Sequence, residues 1–180
     1  RVTSIANYVN GTPSGANGDD DLHTRYAYTS GLQTQMWVDI DGDGVQDTND
    51  QVTTYAFGVT KGSGTMDSSI ASNRLLASVA YPDTAGGTDK VFYAYNALGQ
   101  QKAVKDQAGN ILTSTFDNAG RQTARTVDTL ISGFDGAVRR VETAFDTLGR
   151  PTTVTQYDAT TSGTVVDEVK STYDAWGNPA

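Results

Sequence analysis

Hydrophobic and polar residues in this chain fall into short runs with a strand texture. In Thr123, Ala124, Arg125, Thr126, Val127 and in Thr152, Thr153, Val154, Thr155, β-branched side chains dominate, with no apolar stripe at three- and four-residue spacing. Similar runs predict strands over residues 2–8, 25–28, 32–38, 52–55, 91–95, 154–157 and 165–169. Between them stand clusters of Gly, Ser, Asp and Asn that predict turns: Ser30-Gly31, residues 61–65, residues 82–89, and Ser162-Gly163. Phe57-Gly58 reads as the end of one hairpin, and residues 130–138 as an inserted hairpin around Asp135-Gly136. Residues 69–77 admit two readings. Ile70, Leu75 and Leu76 could share one side of a short helix, whereas a ribbon context favours a strand over 75–81.

One six-residue phrase organises the rest. It reads Tyr95-Asn96-Ala97-Leu98-Gly99-Gln100, Phe116-Asp117-Asn118-Ala119-Gly120-Arg121, Phe145-Asp146-Thr147-Leu148-Gly149-Arg150 and Tyr173-Asp174-Ala175-Trp176-Gly177-Asn178. A shortened copy without the aromatic is Lys105-Asp106-Gln107-Ala108-Gly109-Asn110. Asp or Asn at the start of a type I turn accepts hydrogen bonds from the turn backbone, and Gly supplies the positive φ that closes the hairpin. The preceding aromatic sits on a strand end, where a flat ring packs against neighbouring hairpins. The glycines at 99, 120, 149 and 177 lie 21, 29 and 28 residues apart by subtraction, a spacing typical of repeat architectures.

These spaced phrases resemble the RHS/YD-repeat family, well over residues 81–180 and more loosely over 1–58. The resemblance implies an all-β fold in which antiparallel hairpins form one continuous ribbon, a solenoid or shell segment. It also implies the hollow shells into which such ribbons wind in bacterial toxin complexes and teneurins. The whole chain, 1–180, is expected to be a single ribbon module, with its clearest repeats over 95–178. An ordinary β-sandwich is the rival architecture.

Composition agrees with a ribbon. A hydrophobic content of 37% is low for one central core, and suits side chains that pack between neighbouring turns. A net charge of −8 argues against a nucleic-acid partner, whose phosphates call for clustered Lys and Arg; Arg139-Arg140 is the one adjacent basic pair. No apolar run approaches membrane-spanning length. Cysteine is absent, so disulfides contribute nothing, which fits an exported bacterial protein at the cell surface or outside it.

A second motif spans residues 39–50. With Asp39 as position one, carboxylates fall at positions one, three, five, nine and twelve, as Asp39, Asp41, Asp43, Asp47 and Asp50. Gly44 falls at six, where a calcium loop turns sharply, and Val45 at seven, where the ligand is a backbone carbonyl. Calcium takes six to eight oxygens, and carboxylates crowded into one short loop repel each other without a cation. The order resembles the EF-hand-like loops of dockerins and thrombospondin type 3 repeats. It departs from them in Asp50 for Glu at twelve and in Gln46 at eight. Trp37 and Val38 before the loop and Val52 to Tyr55 after it are strand-like, which places the loop at a hairpin tip. The expected cofactor is therefore Ca2+ in a structural role, held by Asp39, Asp41, Asp43, Val45, Asp47 and Asp50; an ion-free acidic turn is the alternative.

The remaining candidates carry less chemistry. Asp19-Asp20-Asp21, in a turn-rich stretch over residues 10–21, reads as a solvated acidic loop. His23, the single histidine, has no Cys or second His for a zinc site or a triad, and reads as a strand or surface residue. The Asp-Pro-x-Gly-Leu motif of self-cleaving RHS chains is missing, so no catalytic residue carries over, and the chain is expected not to be an enzyme. The expectation is a non-catalytic structural protein, a piece of an exported ribbon that builds a shell or stacks end to end into a filament. Writing Ala180 before Arg1 continues the phrase, so the expected partners are further copies or further repeats of the same polypeptide. The resemblance adds a cargo or toxin domain in a longer chain. The alternative is an adhesion or glycan-binding module with Trp37, Trp176 and tyrosines as a platform. A shielded Trp176 would favour the scaffold, and one exposed beside polar groups the binder.

Overall fold

The structure is a computed structural model that describes residues 3–7, 22–40, 45–48, 50–82 and 89–180. All its regular elements among these residues are strands: β1 (Ser4–Asn7), β2 (Leu22–Thr29), β3 (Leu32–Asp39), β4 (Gln51–Val59), β5 (Ser72–Ala80), β6 (Lys90–Tyr95), β7 (Gln101–Lys105), β8 (Ile111–Phe116), β9 (Gln122–Thr129), β10 (Arg140–Phe145), β11 (Pro151–Tyr157) and β12 (Val165–Lys170). They hydrogen-bond in chain order as one open antiparallel sheet, the all-β hairpin ribbon that the resemblance implies. Successive hairpins with short connections keep neighbours in sequence neighbours in space.

Two compact units emerge, Arg1–Lys61 with Ile70–Phe92, and Gly62–Ser69 with Tyr93–Ala180. In the first, β2 and β3 meet through Ser30 and Gly31, at φ 48 and 88, the left-handed pair that a tight hairpin needs. Strand β4 does not end at Phe57-Gly58. It runs on to Val59, and the pairing with β5 shifts register around Phe57 while Gly58 adopts φ 109, so this glycine marks a bulge rather than a turn. The stretch 69–77 supplies strand rather than helix: β5 starts at Ser72 and carries Leu75 and Leu76 into the sheet.

In the second unit, the segment 62–69 docks on the end of β6. Ser69 donates its N–H to the Tyr95 carbonyl at 2.7 Å, and the buried Ser68 hydroxyl accepts the Tyr95 N–H at 3.0 Å. The expected hairpin at 130–138 is not one. No strand forms there, and an irregular connection joins β9 to β10, with the Asp135 carboxylate accepting the Ala137 N–H at 2.9 Å.

Burial is thin, as a ribbon requires. Among the described residues Val59, Val79, Ala94 and Ala103 are the buried apolar ones, and the largest fully buried side chain is an acid, Asp39. Most strand positions are half-buried, so side chains are shielded by their lateral neighbours rather than by a second layer.

Candidate functional site: the turn edge and the acidic loop

Each phrase folds into the same turn, best seen at Asp117. Its N–H donates to the Arg121 carbonyl at 3.0 Å, and Gly120, at φ 81, returns its N–H to the Asp117 carbonyl at 3.0 Å. One carboxylate oxygen accepts the N–H groups of Ala119 and Arg121, both at 2.9 Å. The other takes Arg121 Nε at 2.7 Å and Nη2 at 2.6 Å. Asp146 does the same with Leu148 and Arg150, and Asp174 with Trp176 and Asn178. Asn96 substitutes an amide and pairs with the Gln100 side chain at 2.7 Å, and the shortened copy pairs Asp106 with Asn110 at 2.9 Å.

Accepting so many donors favours the ionised carboxylate. The Arg121 N–H, and then its side chain, hold Asp117 below the usual carboxylate range. At Asp146 the Arg150 N–H leads, and at Asp174 the Asn178 side-chain amide leads, with the same direction.

The sixth position, which the sequence marks only as polar, also joins one turn to the next. Gln100 Nε2 donates to the Gly120 carbonyl at 2.8 Å. The Arg121 guanidinium carbon lies 4.5 Å from the centre of the Phe145 ring, and that of Arg150 lies 4.5 Å from the centre of the Tyr173 ring. The Tyr173 hydroxyl donates back to the Pro151 carbonyl at 2.8 Å. On the opposite edge, Asn110 accepts the Ile131 N–H at 2.8 Å, and Arg140 donates to the Thr160 carbonyl at 2.8 Å while covering the Tyr157 ring at 4.3 Å. Phe145 and Tyr173 thus pack between hairpins as their position predicts. Asp and Arg spaced four apart, with an aromatic opening the next phrase, is the signal from which these contacts could have been read.

Trp176 is different. It sits at the fourth phrase position, where Leu98 and Leu148 are 75% and 76% exposed, and it is itself 89% exposed. It is a turn-tip residue and takes no part in the packing between hairpins. Trp37 is half-buried on β3.

At the acidic loop, Asp39 ends β3 fully buried, and its carboxylate accepts Arg25 Nε from β2 at 2.8 Å. Asp50 folds across the loop: one oxygen accepts the Ile40 N–H at 3.1 Å and the other the Asp47 N–H at 3.2 Å. Val45 and Asp47 are exposed. Asp41 and Asp43 lie outside the described residues, as do Gly44 and Asp19-Asp20-Asp21. Among the described residues no three acidic, His or Cys side chains gather as a metal-binding group. His23, which pairs with Asp39 across the strands, is a half-buried strand residue. Among the described residues no helix is long and apolar enough to cross a membrane.

No family model and no curated protein matches this chain. Similar solved structures are the crystal structures of TcdB2-TccC3-TEV and TcdB2-TccC3-Cdc42, at 12% and 11% identity and a TM-score of 0.34 each. Each match covers 89% of this chain and 10% of the other, so this chain spans about a tenth of their length.

Proposed function

We propose that this chain is a non-catalytic structural protein, a segment of an exported bacterial β-ribbon that builds a shell or stacks end to end into a filament, outside the cell or on its surface. The observation that carries this reading is the chain of contacts along both edges, in which Gln100, Arg121, Arg150, Asn110 and Arg140 each tie one connection to the next. A ribbon held by nearest-neighbour contacts extends without a central core, which suits a wall or a fibre. Its partners are further copies or repeats of the same polypeptide, and in a longer chain a cargo or toxin domain. Mass determination and electron microscopy of the native material test this. Long polymers or hollow particles support it, and a compact 19.1 kDa monomer overturns it.

Bound calcium is part of the proposal. The donor set fits a hard cation: carboxylates of Asp39, Asp41, Asp43, Asp47 and Asp50, with the Val45 carbonyl. The cross-loop bonds of Asp50 support the fit, because they draw position twelve towards positions two and nine. Calcium that binds only the folded state stabilises it by about 2.7 kcal/mol at a hundredfold excess over Kd. Replacing Asp39 and Asp43 with Asn should erase any calcium-dependent rise in Tm; equal melting of both proteins with and without chelator would leave only an acidic turn.

The exposure of Trp176 favours a second reading, an adhesion or glycan-binding module. Tryptophan fluorescence that shifts on adding oligosaccharides, and stays silent in Trp176→Ala, would support it.

A further inference from the structure

We infer that the ribbon consolidates in chain order, each connection preparing the group on which the next one settles. The argument rests on what each turn can complete alone. In the turn Asp117 to Arg121, the carboxylate grips the guanidinium through Nε and Nη2, at 2.7 and 2.6 Å, without help from any later residue. A planar guanidinium held in this fork has already lost its freedom, so stacking a ring on it costs little further entropy.

Phe145 is that ring, and it arrives with the next phrase on the same edge. Asp146 then fixes Arg150 in the same way, and Tyr173 lands on it. The earliest link uses an amide: Asn96 holds Gln100, which reaches the Gly120 carbonyl. The opposite edge repeats the order, since Asp106 holds Asn110, whose oxygen receives the Ile131 N–H. Asn96, Asp106, Asp117 and Asp146 are thus positioning residues for the turn that follows on the same edge. This holds for a shell and for a filament alike.

The test is amide hydrogen exchange, read by mass spectrometry, on the full 180-residue chain. In Arg121→Ala, protection of the Leu148, Gly149 and Arg150 amides should fall by roughly threefold to tenfold, the range of a partly desolvated cation–π contact. The upstream turn at 96–100 should keep its wild-type protection. In Arg150→Ala the loss should move to the turn at 174–178 and leave the turn at 117–121 unchanged. Arg121→Gln, which copies Gln100, should restore part of the loss. Equal losses upstream and downstream, or none, would overturn the inference. Pulse labelling of refolding wild-type protein needs no variant and decides the same point. Protection should appear first at 96–100, then at 117–121, 146–150 and 174–178, and simultaneous or reversed protection would refute the ordering.

Discussion

The guanidinium of Arg121 is shared between its own turn and the ring of Phe145, 4.5 Å away, so one side chain serves two successive hairpins. Arg121→Ala and Phe145→Leu should therefore be non-additive. A double-mutant cycle in denaturant is expected to give a coupling of about 0.5–1 kcal/mol. The pair Arg125 and Phe145, which no such contact joins, is the control and should add.

Gly149 is held by two constraints at once. Its φ of 84 disfavours any side chain, and a Cβ there would meet Arg121 Nη1 at 3.0 Å. Gly99 has a similar φ of 78 with open space around it. Gly99→Ala should cost about 1 kcal/mol for the backbone alone. Gly149→Ala should cost more, because it also pushes the guanidinium away from Phe145. Urea midpoints of the two variants give the ranking directly.

Arg25 and Asp39 form the pair most sensitive to truncation. Asp39 is 0% exposed, and the registers His23 with Asp39 and Arg25 with Trp37 make the two charges diagonal neighbours on one face. With calcium removed by chelator, Arg25→Met takes the Arg25 guanidinium from a buried carboxylate and should destabilise by about 3 kcal/mol. Adding Asp39→Asn to that variant should recover part of the loss, since the buried charge is then gone. Thermal melts of the single and double variants check this.

Acid should loosen the turn edge. Asp117, Asp146 and Asp174 all hold their folded-state protons less tightly than an ordinary Asp, whose pKa is about 3.9. A depressed folded pKa means that the stability is fully present above the unfolded value and drains away as pH falls through the folded one. The denaturant midpoint should be flat from neutral pH to about 5, then fall steadily as the pH drops below about 4. Changing all three residues to Asn should flatten that fall, because Asn96 already makes the same backbone bonds in its turn.

The turns were legible in the sequence because their chemistry is local. A phrase that begins with Asp or Asn and closes on Gly contains nearly all the atoms that hold it, so Asn96, Asp117, Asp146 and Asp174 could be assigned from spacing alone. What lay outside any one phrase was harder to see. Arg25 stands fourteen positions from Asp39, and only the β2–β3 pairing brings them together. The strand at 72–80 was ambiguous because its apolar residues satisfy two periodicities, and pairing with β4 and β6 selects one. Trp176 is aromatic but occupies the turn tip rather than the strand end, and residue type alone does not separate those environments. At 130–138 an Asp-Gly pair suggested a hairpin, but its flanking residues find partners on neighbouring strands: the Arg139 side chain bonds the Val127 carbonyl at 2.7 Å.

The two edges of β7 to β12 spend residues differently. Along one edge the turns at 96–100, 117–121, 146–150 and 174–178 are alike, while along the other the connections 106–110, 130–139 and 158–164 vary in length. The uneven gaps of 21, 29 and 28 residues between phrase glycines therefore do not disturb the spatial repeat, which stays at two strands. Lengthening a surface connection is cheap, about 0.6 kcal/mol for each doubling. Foreign peptides grafted between Gly133 and Gly136 would hang from the permissive margin of the ribbon, while the same graft in a phrase turn would cut the line of contacts beside it.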